Sequence, residues 1–158
     1  MIGHRQGGAD FAVDPLSQVA QKEGCFKLTA VGDCVSENLS GGIVTSLERI
    51  KQAPDKIARF MTAALKGYLF FTTRREASIN YMMQFFKSKD RDAISAIYDA
   101  SVKVMTRDGT VEDKVLQAVI DDAQRAAGVK KDVRTADYFD FSFLRKARER
   151  VKVSGWRS

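Results

Sequence analysis

The sequence has little of what most catalytic and metal sites are built from. It contains one histidine, His4, and two cysteines, Cys25 and Cys34, which do not form a CxxC pair. A single histidine excludes most His-dependent triads and multi-histidine metal centres. Two cysteines with this spacing and no histidine beside them argue against a zinc site. We therefore expect both to be ordinary buried or half-buried thiols.

The motifs of common enzyme classes are also absent. No GxSxG, P-loop or GxGxxG pattern occurs, and the GG pairs at 7–8 and 41–42 are too short to signify one. The adjacent carboxylates Asp121 and Asp122 point in different directions on a helix, so they do not form a catalytic pair. The sequence predicts a protein that is not an enzyme and that uses no cofactor and no metal.

Long apolar runs are missing as well. No run approaches the roughly 20 residues that a membrane-spanning helix needs. The opening residues, MIGHRQGGAD, lack the apolar core of a secretory signal. This predicts a cytoplasmic protein or a piece of a longer precursor. The content of 44% hydrophobic and 29% charged residues is typical of a globular protein.

What the sequence does have is a basic end. The net charge is +6, and the last fifteen residues, 144–158, hold six basic residues and one acid, Glu149. A nucleic-acid binder usually spreads its positive charge over one face of the fold. We interpret the tail as the solvated end of a helix, and we predict no nucleic-acid partner. The alternative, binding of nucleic acid through this tail, predicts a strongly salt-dependent affinity.

The first 45 residues have the chemistry of β-strands. Short β-compatible runs lie at 9–13, 25–32 and 41–46. Between the first two runs, Asp14 and Pro15 are suited to start a helix. We therefore predict a strand, a helix and a second strand. Asp14 at the carboxyl end of a strand is either a plain helix cap or a group at the edge of a ligand cleft.

From Ser46 onward the apolar period changes from two to 3.6, which predicts about five helices. Thr110 and Asp113 have near capping-box spacing, and Gly128 is placed to end the helix that follows them. Several aromatic residues between 70 and 86 fall on helical stripes, so we interpret this group as core: Phe70, Phe71, Tyr81, Phe85 and Phe86. Two short strands with one helix are not stable alone in water, so further strands are expected elsewhere.

The order of these segments resembles the C-terminal half of bacterial ABC-importer substrate-binding proteins. The stretch GGADFAVDPLSQVAQKEG resembles their G-x-x-D-A-x-x-x-x-P strand and helix, and PDKIARFMTAALKGYLFF resembles their Pro-initiated helix ending in A-x-x-K-G. EASINYMMQFF, GTVEDKVLQAVIDDAQRAAG and DYFDFSFLRKA follow in the order of the taurine, nitrate, sulfonate and thiamine-pyrimidine type. The resemblance covers nearly residues 7–147.

The resemblance implies a fold and a division of the chain. The fold class is α/β and helix-rich, the C-terminal part of a type II periplasmic-binding-protein-like fold of two lobes, with a short βαβ unit and then about five helices. Residues 1–33 would end lobe two, 34–41 would cross between the lobes, and 42–158 would return as helices into lobe one. Asp14 and Pro15 would then lie near the solute cleft, and Gly41 and Gly42 near the hinge.

The resemblance also implies a function and partners. The chain would be the solute-binding component, truncated or partial, of an ABC importer for a sulfonate, nitrate or pyrimidine, closing on its solute like a Venus flytrap. Its partners would be that solute and a membrane permease. The full-length relatives would be periplasmic or anchored outside the cytoplasm. The alternative is a small helical interaction or oligomerisation protein that binds no solute and whose strands pair with a partner or with a second copy. Self-association through open strand edges is a further expectation.

Overall fold

The structure is a computed structural model that describes residues 12, 16–30, 39, 41–106 and 108–156. Within these ranges the chain forms seven α-helices and one 3-10 turn. They are α1 (Leu16–Lys22), α2 (Leu47–Gln52), α3 (Pro54–Thr73), α4 (Arg75–Phe85), α5 (Arg91–Val104), α6 (Asp113–Ala127), the 3-10 turn (Thr135–Asp137) and α7 (Ser142–Val153). The helical character predicted after Ser46 is confirmed.

The predicted α/β fold class is wrong for the part of the chain described. Residues 25–30 and 41–46 have strand chemistry but lie in no helix or strand, and of residues 9–13 only Ala12 is described. The described ranges contain no strand, so the βαβ unit is not formed there. The physical reason is that a strand is held by hydrogen bonds to a neighbouring strand, and none of the described residues supplies one.

Two glycines end helices, and for Gly128 this confirms the prediction from the sequence. Gly24 follows α1 with φ at 88°, and the N–H of Cys25 donates to the carbonyl of Ala20 at 2.9 Å. Gly128 follows α6 with φ at 65°. This left-handed conformation is open to glycine without a Cβ clash, so both positions act as helix stops.

The capping box predicted at the start of α6 is not formed. The helix begins at Asp113, and no side chain caps its first turn. Thr110 instead donates its hydroxyl to the carboxylate of Asp108 at 2.6 Å. Because the hydroxyl of Thr110 bonds to the preceding turn, it does not cap the helix. The spacing of Thr110 and Asp113 does not reveal this competition.

The core consists of two separate clusters. The α4–α5 cluster contains Ile79, Met82, Ile94, Ile97 and Tyr98, with Phe71, Met83 and Val102 packed against it. The α3–α7 cluster contains Leu65, Leu144, Ala147 and Val151, with Met61, Leu69, Phe141 and Trp156 packed against it. Helix α3 belongs to both, because Leu65 lies in one and Phe71 contacts the other.

A buried tyrosine fastens the end of α3 to α5. The hydroxyl of Tyr98 donates to the carbonyl of Phe71 at 2.7 Å, and their rings lie 4.9 Å apart. Phe71 is near the C-terminal end of α3, where carbonyls have no partner within the helix. The contact therefore satisfies a helix end and fixes the position of α5 at the same time.

No helix among the described residues is both long enough and apolar enough to cross a membrane. The division at residues 33 and 41 that the resemblance implies stays a prediction.

Candidate binding surfaces

The residues predicted near a cleft or hinge are not brought together by the described structure. Asp14 and Pro15 lie outside the described residues. Gly41 and Gly42 precede α2, and a Cβ added to either would meet no atom within 4 Å. Their assignment to a ligand site and a hinge stays a prediction.

A first surface, the N-terminal apolar surface, comes from residues 16–47. Seven large apolar side chains are exposed there: Leu16, Val19, Phe26, Leu28, Ile43, Val44 and Leu47. Phe26 and Val44 are each 92% exposed. Helices α1 and α2 bury no residue, and among the described residues the first buried hydrophobic one is Ala58. The apolar side chains of this segment are therefore left uncovered by the described helices.

A second surface, the aromatic cluster, lies on α4 and the residue after it. Tyr81 and Phe85, one turn apart, stack with ring centroids 6.1 Å apart, and Phe86 meets Phe85 edge-on at 5.2 Å. All three are exposed, as is Phe70 at the end of α3. The interpretation of these four rings as core is wrong, while Phe71 does pack against the α4–α5 cluster.

An ion-pair network covers one edge of the α4–α5 pair. Arg75 holds Asp99 through two hydrogen bonds, of 3.0 Å and 2.8 Å, and also contacts Glu76 at 2.9 Å. Arg91 bonds the other oxygen of Glu76 at 2.6 Å and the side chain of Asn80 at 2.7 Å. The hydrogen bond from Arg75 lowers the pKa of Asp99 below its ordinary value. These groups are satisfied by one another, so we assign the network to structure rather than to binding.

A third surface, the cationic groove, lies between α3 and α7. It is a cleft of about 390 Å³ lined by Arg59, Thr62, Ala63, Lys66 and Arg150. Lys66 lies with its ammonium 5.9 Å from the ring centre of Trp156. All the titratable side chains that line the groove are cations, namely Arg59, Lys66 and Arg150. Thr62 donates its hydroxyl back to the carbonyl of Ala58 at 2.7 Å, so it adds no free donor.

A smaller cleft nearby, of about 180 Å³, is lined by Leu65, Leu69, Asp108, Arg148, Val151 and Lys152. Arg148 pairs with Asp108 at 3.1 Å. Two hydrogen bonds from Thr110, together with that pairing, lower the pKa of Asp108 to about 2. The charges that meet in this cleft are mostly balanced internally, in contrast to the cationic groove.

No group of three or more metal-binding side chains occurs among the residues that the structure describes. Cys25 is exposed and free, so the expectation that it is buried is wrong, and Cys34 lies outside the described residues. The cationic groove was missed by the sequence reading, which located positive charge only in the tail. The usable signal was Arg59 and Lys66 seven residues apart, which is two helical turns on one face.

Compared with protein-family models, with curated proteins and with solved structures, the chain matches none. The function is therefore argued from the surfaces themselves.

Proposed function

We propose that this chain is an interaction protein that associates with a second copy of itself through the N-terminal apolar surface. The observation that carries the proposal is the exposure of seven large apolar side chains between residues 16 and 47, where none of the described residues is buried. An uncovered apolar group of this kind is typical of a contact surface, because its burial in a partner is favourable.

The sequence of residues 25–30, CFKLTA, suits a strand that forms on association. Phe26, Leu28 and Ala30 alternate with Lys27 and Thr29, so one face of such a strand would be apolar and the other polar. This is the pattern of a half-buried strand in need of a neighbour. The described part of the chain offers no strand to it.

A second copy can supply that neighbour in a favourable register. In an antiparallel pair with Leu28 opposite Leu28, Phe26 lies opposite Ala30 on the apolar face. On the polar face of that pair, Lys27 lies opposite Thr29. A shift of the pair by two residues would place Lys27 opposite Lys27, and two like charges directly opposite each other are destabilising. The two-fold symmetric register centred on Leu28 is therefore favoured over the one centred on Lys27.

Replacing Phe26 and Leu28 together by aspartate is expected to convert a dimer into a monomer. Both side chains are largely exposed, 92% and 81%, so the helices themselves should keep their circular dichroism signal. Light scattering after size exclusion measures the mass. The matched control is Val104→Asp, which puts the same charge at a 78% exposed apolar position on α5 and should leave the dimer intact.

The register has its own test. In a background of Cys25→Ser and Cys34→Ser, Leu28→Cys should form a disulfide between copies on mild oxidation, whereas Lys27→Cys should not, because its opposite neighbour is Thr29. A wild-type chain that is monomeric at every concentration would contradict the proposal. A dimer that survives Phe26→Asp with Leu28→Asp would contradict the assigned surface.

The sequence resemblance supports a second candidate, the solute-binding component of an ABC importer with a membrane permease as partner. What supports it is the ordered series of segments and the start of α3 at Pro54, where the resembling stretch has a Pro-initiated helix. The described residues contain no strand, so any sheet that holds the solute would lie outside them. A thermal-shift titration with taurine, nitrate and a pyrimidine should show stabilisation by one of them; three flat titrations would count against this candidate.

A further inference from the structure

The cationic groove brings three cations together and has no carboxylate in its lining. Arg75, Arg91, Arg134 and Arg148 each lie within 4.0 Å of a carboxylate. Arg59, Lys66 and Arg150 form no ion pair among the described residues. The nearest acids along the chain are Asp55, one turn before Arg59, and Glu149, the neighbour of Arg150, and neither forms an ion pair with a groove cation.

The groove is also built on the most closely packed pair of helices. Ala147 of α7 is fully buried between the helices, and Leu65 and Val151 are 6% and 7% exposed. Arg150 is therefore held on a helix that is fixed against α3, which carries Arg59 and Lys66. Three cations presented from two fixed helices repel one another, and a bound anion would remove that repulsion.

We infer that the cationic groove binds a small molecule that carries a phosphate group or another doubly charged oxyanion. The cleft of about 390 Å³ is of the size that small ligands occupy. Two guanidinium groups offer the forked donors that match phosphate oxygens, and the ammonium of Lys66 adds a third positive charge. The groove is concave, and its cations come from both α3 and α7. This arrangement favours a compact anion over a long polyanion that would lie along α7 alone.

Trp156 provides a direct measurement of binding. It is the only tryptophan in the sequence, and its ring contacts the ammonium of Lys66. An anion that draws Lys66 toward the groove changes the surroundings of the ring. We expect inorganic phosphate and inorganic pyrophosphate, added at constant ionic strength, to change the fluorescence of Trp156 saturably and to raise the melting temperature.

The variants identify the groove as the site. Arg150→Gln and Arg59→Gln should each weaken phosphate binding about tenfold, because each removes one charge-assisted contact. The matched control is Arg145→Gln, which removes the same charge from an exposed position of α7 that does not line the groove and should bind as the wild type does. Without phosphate, Arg150→Gln should be as stable as the wild type or more so, since it relieves repulsion.

Three results would overturn the inference. One is an equal change in Trp156 fluorescence and melting temperature with sodium chloride at the same ionic strength, which would show that the response is general charge screening. Another is unchanged phosphate binding in Arg150→Gln and Arg59→Gln. The third is a short DNA duplex that binds far more tightly than pyrophosphate and is insensitive to the groove variants, which would assign the positive charge to nucleic acid.

Discussion

Replacing Ile79 by alanine is expected to lower the free energy of unfolding by about 3 kcal/mol. The side chain of Ile79 is 0% exposed and lies in the α4–α5 cluster with Met82, Ile94, Ile97 and Tyr98. Removing three buried carbons loses their transfer free energy and leaves a cavity between the two helices. The helices cannot close over that cavity freely, because the hydrogen bond from Tyr98 to Phe71 and the two bonds from Arg75 to Asp99 hold them in place.

Urea denaturation followed by circular dichroism measures this change as a lower midpoint at an unchanged slope. The control is Val104→Ala on α5, where the side chain is 78% exposed and the loss should stay below about 0.5 kcal/mol. Equal losses in the two variants would show that the α4–α5 cluster is not a packed core in solution.

Replacing Ala147 by aspartate is expected to separate α7 from α3. Ala147 is 0% exposed at the contact between the two helices, among Leu65, Leu144 and Val151. A carboxylate there has no room and would be removed from water without a partner built to receive it, at a cost of about 3 kcal/mol or more. Detaching the helix restores the hydration of that charge, so undocking of α7 is the expected response.

Two measurements distinguish local undocking from global unfolding. The emission of Trp156, which packs against the α3–α7 cluster, should shift to the red as the ring becomes hydrated. Amide hydrogen exchange should speed up in α7 while α4 and α5 keep their protection, because the two clusters share no buried residue. The control Ala100→Asp adds the same charge at an exposed position of α5 and should do neither. Equal loss of protection throughout would show that the clusters unfold as one unit.

The sequence was sufficient for the helices, because their signals are local. The apolar period and a terminal glycine predicted the helical part after Ser46 and the stop at Gly128. The prediction of strands was wrong for the described residues, because strand formation depends on non-local contacts. Residues 25–30 have a strand pattern, but whether a strand forms depends on a neighbour that the pattern does not specify.

The candidate surfaces were harder to predict than the helices. The sequence pattern predicts that Phe86 belongs to the core, yet its side chain is 45% exposed because it lies just past the end of α4. The cationic groove depends on which helix packs beside α3. That partner is α7, whose residues lie about 80 positions later, and no local sequence pattern predicts this pairing.

The separation along the chain between partners in the two clusters bears on how this protein reaches its folded state. Ile79 and Tyr98 are close in sequence, and the hairpin of α4 and α5 closes a short loop. Leu65 and Ala147 are far apart, so joining α3 to α7 closes a loop of about half the chain and carries a larger entropic cost. We expect the α4–α5 hairpin to form early and the docking of α7 to come last. The cationic groove would then be the final feature of the molecule to appear, and an anion that binds there would act on the last step of folding.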